Sequence, residues 1–170
     1  MAAEPEIHAI LDELRRLRSR VPQLTGALAA GVDGLVVAHD TPGADPDGLA
    51  ALTAAALGVA VRVADATGQG GFRELLVRGE KGYVATYAAG RTAVLTLLAE
   101  DRVNVGRLHL EGRRAGARIG ELVDAAEAAA RAAEAGPPAR PPARTSTARP
   151  LRPTRTPRAA ATDARTATDS

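Results

Sequence analysis

Residues 24–39 read Leu-Thr-Gly-Ala-Leu-Ala-Ala-Gly-Val-Asp-Gly-Leu-Val-Val-Ala-His, two short apolar runs joined by Gly31-Val32-Asp33-Gly34. Asp-Gly between β-forming segments is a hairpin signal, because the glycine accepts the positive φ that a tight turn demands. The runs predict strands at roughly 25–30 and 34–39. On their N-terminal side Ile7, Ile10, Leu11, Leu14, Leu17 and Val21 recur every three or four positions, while Arg15, Arg16, Arg18 and Arg20 fill the other side. That spacing predicts a helix over about 6–20 with one buried stripe. Pro22 disfavours helical backbone at Val21 and so ends it.

After the hairpin and a loop at Thr41-Pro42-Gly43-Ala44, Asp45-Pro46-Asp47 starts a second helix that runs to about Ala64. Asp45 is its N-cap, Pro46 takes the first helical position, and Asp47 complements the helix dipole. Leu49, Leu52, Ala56, Val59, Ala60 and Val63 share one face, and Ala50, Ala54, Leu57, Val61 and Ala64 carry the apolar surface well round the side. Only a narrow stripe near Gly58, Arg62 and Asp65 is polar. A surface helix of a small monomer has a broader polar face, so this helix is expected to pack on its own sheet and on a second body. A second copy of the chain is the simplest such body.

Gly68-Gln-Gly-Gly71 then leads to three predicted strands, Phe72–Arg78, Gly82–Ala88 and Thr92–Leu98, with tight turns at Gly79-Glu80-Lys81 and Ala89-Gly90-Arg91. The last strand is apolar on both sides, which places it centrally with helices over both faces. A third helix from about Arg102 to Ala133 carries the stripe Val105, Leu108, Ala115, Ile119, Val123 and Ala126, with Gly112 and Gly116 on the same face. Each glycine costs a helix about 1 kcal/mol relative to alanine, so a close neighbour is the expected reason for both. The predicted order is α-β-β-α-β-β-β-α, an α/β layered domain around a five-stranded antiparallel sheet.

The composition changes at residue 136. Residues 136–170 hold seven of the eleven prolines and seven of the 22 basic residues, with Leu151 as their one large aliphatic side chain. Such a segment buries too little to offset its ordering entropy and is expected to be a disordered Arg/Pro/Thr-rich tail, leaving residues 1–135 as the domain. The domain carries 15 basic and 18 acidic residues, so the basicity of the whole chain comes from the tail. A net charge of −3 with two tyrosines and one phenylalanine argues against specific DNA binding. The absence of cysteine excludes disulfides and thiolate metal sites. No stretch approaches roughly 18 uninterrupted apolar residues, and the N-terminus lacks signal-peptide features, so a cytoplasmic location is expected, with membrane recruitment through a partner.

Catalytic patterns are missing. His8, His39 and His109 fall in three different elements without metal-ligand spacing. Gly79-Glu80-Lys81-Gly82 lies between two strands and lacks the phosphate-loop pattern, and Gly68–Gly71 has no Gly-x-Gly-x-x-Gly spacing into a helix. There is no Gly-x-Ser-x-Gly, and Ser19 is the single serine before residue 136. Neither an enzyme nor a bound cofactor or metal is expected.

Several motifs in order resemble the roadblock family of dynein-light-chain-like domains, and within it the bacterial branch encoded near small Ras-like GTPases. They are the first helix ending Val21-Pro22, Gly26-Ala27-Leu28 leading to Asp33-Gly34-Leu35, the Asp45-led Ala/Leu helix, Gly79-Glu80-Lys81-Gly82-Tyr83, and Val94–Ala99 running into Asn104-x-Gly106. The resemblance spans about residues 6–125. Gln23, where the bacterial branch often has glycine, and the glycine-rich third helix depart from it. The resemblance implies a homodimer in which second helices pair and third strands join edge to edge. It also implies a non-catalytic adaptor or regulator of a small Ras-like GTPase, acting on the nucleotide cycle by repositioning GTPase residues or as a scaffold. Candidate interface residues are Leu49, Leu52, Leu57, Val61 and Arg62 on the second helix and Phe72, Glu74 and Leu76 on the third strand.

Two other readings compete. A sensory α/β domain would bind a small molecule in its core, although an interior poor in aromatic and polar groups offers few orienting contacts. The tail would alternatively tether the domain to an anionic membrane or nucleic acid, and its Pro138-Ala-Arg-Pro141 and Pro150-Leu-Arg-Pro153 fit polyproline ligands.

Overall fold

The first helix stops where Pro22 requires it. The computed structural model describes residues 4–135, and α1 spans Glu4–Arg20. The Val21 amide closes the last turn on Leu17 O at 3.0 Å, and Leu24 N then bonds back to Val21 O at 3.0 Å, turning the chain into β1, Leu24–Gly31. The tail expected to be disordered lies outside the described residues.

β1 and β2 (Val36–Asp40) form the antiparallel hairpin that Asp33-Gly34 announces. Gly34 has φ +86°, Gly31 N donates to Leu35 O at 2.8 Å, and the Asp33 carboxylate accepts from Leu35 N at 3.1 Å. These local bonds hold residues 32–35 in the turn, so β2 starts two residues later than the sequence pattern places it.

The remaining elements are α2 (Pro46–Ala66), β3 (Glu74–Gly79), β4 (Gly82–Ala89), β5 (Ala93–Glu100) and α3 (Val105–Glu134). The sheet is five-stranded in the order β2-β1-β5-β4-β3, and every neighbouring pair is antiparallel. This is the layered fold expected from the pattern. β5 is central, and its alternate residues enter two cores. Ala93, Leu95, Leu97 and Ala99 meet Ile10, Leu14 and Leu17 of α1 and Leu108, Ala115 and Ile119 of α3. On the opposite face Val94 joins Leu28, Ala30, Ala50 and Leu57 beneath α2. The buried Thr96 hydroxyl bonds Thr53 of α2 at 3.3 Å and Thr86 of β4 at 3.2 Å, so three buried hydroxyls satisfy one another.

α1 and α3 share one face of the sheet and are tied together by Arg20, which is 2.9 Å from both Glu13 and Glu111. α3 begins at Val105, later than predicted, because the Asn104 side chain caps it by accepting from Arg107 N at 2.9 Å. Its glycines allow the close approach expected of them. A Cβ on Gly116 would sit 2.9 Å from Ala88 O, one on Gly120 would sit 2.7 Å from Gly90 Cα, and one on Gly112 would enter the Tyr87 ring. Gly120→Ala gains helix propensity but collides with rigid backbone, and overpacking costs about 1–3 kcal/mol. The variant is expected to melt at a lower temperature than the parent in a thermal scan; an unchanged or higher Tm would show that α3 and the β4–β5 turn are not in such contact.

Candidate interaction surface

Asp45 starts α2 as its sequence requires, its carboxylate accepting from Gly48 N at 3.1 Å with Pro46 at the first helical position. The helix that this cap opens is apolar on nearly every side, and the sheet takes only one of them. Ala50, Thr53 and Leu57 are buried, with Leu49 and Val61 partly packed beside them. Leu52, Val59 and Val63 point away from the sheet and are 71%, 65% and 57% exposed. α2 is long and apolar enough by length and composition to cross a membrane, which corrects the expectation that no segment approaches a span. In this fold one side of it belongs to a core, and Leu52, Val59 and Val63 leave an apolar surface exposed beside the polar stripe of Gly58, Arg62 and Asp65.

The candidate interface residues therefore separate. Leu57 is 8% exposed and sits in the core beneath α2, so its side chain is already taken by β1 and β5. Leu49, Val61 and Phe72 are half-buried against the same core. Leu52, Arg62 and Leu76 are open to solvent, and Glu74 is half-buried. Val59, Val63 and Val77, outside the candidate set, complete the exposed apolar surface. Sequence alone does not separate Leu57 from Leu52 because an all-round apolar helix offers no periodic contrast to show which side faces inward.

β3 bounds this surface. It starts at Glu74 instead of Phe72, pairs with β4 on one side, and has no strand on the other among the described residues. Gly79 faces Gly82 across the two-residue turn Glu80-Lys81, as the sequence predicts. Between α2 and the start of β3 runs a groove of about 760 Å³ lined by Val59, Ala60, Val63, Phe72 and Leu75 among others. An apolar helix face across a groove from a strand edge that is unpaired among the described residues is a surface suited to association.

On the α3 side of the same strand lies a polar cluster that spacing in the sequence does not announce. Arg113 grips Glu74 with two hydrogen bonds, Nε to Oε2 and Nη2 to Oε1, both 2.7 Å. His109 Nδ1 is 3.6 Å from Glu74 Oε1 and 3.1 Å from the Tyr87 hydroxyl, and the two rings meet edge to face at 5.9 Å. The hydrogen bonds from Arg113 hold the Glu74 carboxyl below the usual carboxylate range, against a smaller opposing effect of burial. Burial, reinforced by the Glu74 charge, pushes the Tyr87 phenol well up, so it stays neutral beside His109. These four groups clamp an edge strand to α3. His8 bonds the Glu4 carbonyl and His39 bonds Thr41, so the three histidines remain apart, and no metal-holding group of three carboxylates or histidines occurs among the described residues. Positions 74, 87, 109 and 113 share no motif; the one hint is Gly112 in a helix interior, which makes room for Tyr87.

A bare helix face beside an open strand edge, on a five-stranded sheet with two helices behind it, defines an interaction module. Residues 10–99 match the Roadblock/LC7 domain model, and the chain belongs to that family. The uncharacterized protein MJ0714 of Methanocaldococcus jannaschii is 29% identical over 114 residues, covering 66% of this chain and 96% of that protein. Among solved structures, the gliding protein MglB of Thermus thermophilus superposes with TM-score 0.67 at 24% identity over 74% of this chain and 94% of its own. A Roadblock/LC7 domain from Streptomyces avermitilis superposes with TM-score 0.62 at 24% identity over 66% and 96%.

A glutamate with a lowered folded-state pKa contributes stability above its unfolded value of about 4.3 and loses it as pH falls through the folded value. Glu74→Gln is therefore expected to have a lower Tm than the parent at pH 7, and the two Tm values should converge as pH falls below about 4. A gap that stays constant across this range would remove the carboxylate pairing as its cause.

Proposed function

We propose that the domain is a non-catalytic module that forms a homodimer through α2 and β3 and, as a dimer, binds a small Ras-like GTPase to modulate its nucleotide cycle or scaffold its complex. The observation that carries the first part is the exposed apolar side of α2, with Leu52, Val59 and Val63, together with an edge of β3 that has no neighbouring strand among the described residues. Burying one such side chain is worth roughly 1.5–3 kcal/mol, and pairing an edge strand satisfies backbone groups that otherwise face water. A second copy supplies both at once, with the same patch on each partner.

Support for the GTPase comes from family membership and from the motifs that resemble the bacterial branch encoded beside Ras-like GTPases. In this reading the dimer presents a shaped surface and repositions groups of the GTPase; no arginine of this chain is assigned to the transferred phosphate. Arg62, exposed on α2, is a candidate contact with that partner.

Light scattering at micromolar concentration is expected to give twice the 17.4 kDa chain mass. Val59→Asp/Val63→Asp should give the single-chain mass with unchanged far-UV circular dichroism, whereas Leu57→Asp should lose helical signal because it charges a buried core position. A parent protein of single-chain mass would overturn the dimer. For the partner, pull-down with a co-encoded Ras-like GTPase loaded with GDP or a GTP analogue should retain the parent and lose Val59→Asp/Val63→Asp. Absence of binding in both nucleotide states would remove the GTPase reading.

A further inference from the structure

The alternation of β3 determines how a second copy would meet it. This inference rests on the homodimer proposed above. Ala88 N donates to Arg73 O at 3.0 Å, so the backbone of residue 73 points toward β4. Antiparallel alternation then turns the backbone groups of Leu75 and Val77 toward β4 as well, and those of Glu74, Leu76 and Arg78 outward. A two-fold β3–β3 ladder exchanges hydrogen bonds between outward residues alone, which restricts its axis to positions centred on a residue.

Three such registers keep most of the strand paired. Centred on Leu75, Glu74 would face the partner's Leu76 and Arg78 would face the partner's Phe72, setting charges against apolar side chains. Centred on Val77, Glu74 would face the partner's Glu80, a like-charge contact that destabilises a sheet. Centred on Leu76, each Glu74 faces the partner's Arg78, Leu76 meets its own copy, and Leu75 faces Val77 on the other side of the sheet. Every side chain then has a complementary neighbour.

We propose that two copies pair β3 against β3 about a two-fold axis through Leu76, with Glu74 of each copy bridging its own Arg113 and the partner's Arg78. Glu74 and Arg78 lie on the same sheet face, Glu74 against α3 and Arg78 with its guanidinium 5.5 Å from the Tyr83 ring centre. The two carboxylate oxygens held by Arg113 keep lone pairs for a second arginine. Arg113 thus acts as a positioning residue, orienting Glu74 toward the incoming strand. Three outward residues on each copy give about six backbone hydrogen bonds across the axis. Leu75 and Val77 extend the apolar surface toward α2 on the opposite face.

The chain contains no cysteine, so crosslinking reads the register directly. Leu75 and the partner's Val77 would occupy a non-hydrogen-bonded pair, whose Cβ separation of about 4.5–5.5 Å is the closer spacing in a ladder and the one best suited to a disulfide. Leu75→Cys and Val77→Cys, differently tagged, mixed and oxidised, are expected to give a mixed crosslinked dimer while neither variant crosslinks to itself. Leu75→Cys crosslinking to itself would place the axis at Leu75, and Val77→Cys doing so would place it at Val77; either overturns the proposal. So does a species that stays dimeric by light scattering yet forms no crosslink. A monomeric mass for the parent overturns the dimer reading beneath it. Arg78→Glu should raise the dimer Kd about tenfold, and an unchanged Kd would exclude the Glu74–Arg78 pair.

Discussion

A five-stranded sheet has two faces and two edges, and the described residues hold three helices with which to cover them. α1 and α3 together close one face, and their packing accounts for most of the buried aliphatic side chains. α2 alone serves the other, and its main contacts are with β1 and β2, at one end of the strand order. Among the described residues Val77 and the outer edge of β3, with the outer side of α2, are left exposed. This shortfall shapes everything else in the molecule, because an apolar surface of this kind next to an unpaired strand promotes association with another chain.

The legible parts of the fold are those where the sequence has contrast. α1 has a sharp boundary between aliphatic and arginine positions, and its buried Ile10, Leu14 and Leu17 lie in the predicted stripe. The Asp33-Gly34 hairpin, the two-sided β5 and the glycine face of α3 are equally readable, since each rests on a local rule of turns, burial or close packing. α2 has no such contrast. Its existence, cap and exposed excess follow from residues 45–66, but the side that meets the sheet is set by the match of Ala50, Thr53 and Leu57 to β1 and β5. That is tertiary information. For the same reason Leu57 reads as an interface residue in the sequence and is core in the structure.

The cluster of Glu74, Tyr87, His109 and Arg113 is not legible at all. Its members come from two strands and a helix and are brought together by sheet register and the approach of α3 at Gly112. Glu74 stands out in the sequence as an interface candidate without any sign that it is anchored to α3. The anchoring changes its meaning, because a carboxylate held by Arg113 at the sheet edge is a fixed charge that an incoming strand must match. In the proposed dimer this fixed charge selects one register of β3 against β3. Membership in the Roadblock/LC7 family supports the proposal that the dimer serves as a docking platform for a small GTPase.

Amide hydrogen exchange across a concentration series tests the central claim most directly. The N–H groups of Glu74, Leu76 and Arg78 point out from the sheet edge, so pairing with a second copy should slow their exchange as protein concentration rises through the dimer Kd, with no change in the N–H groups of β5. Exchange at these three positions that is fast and independent of concentration would contradict the account.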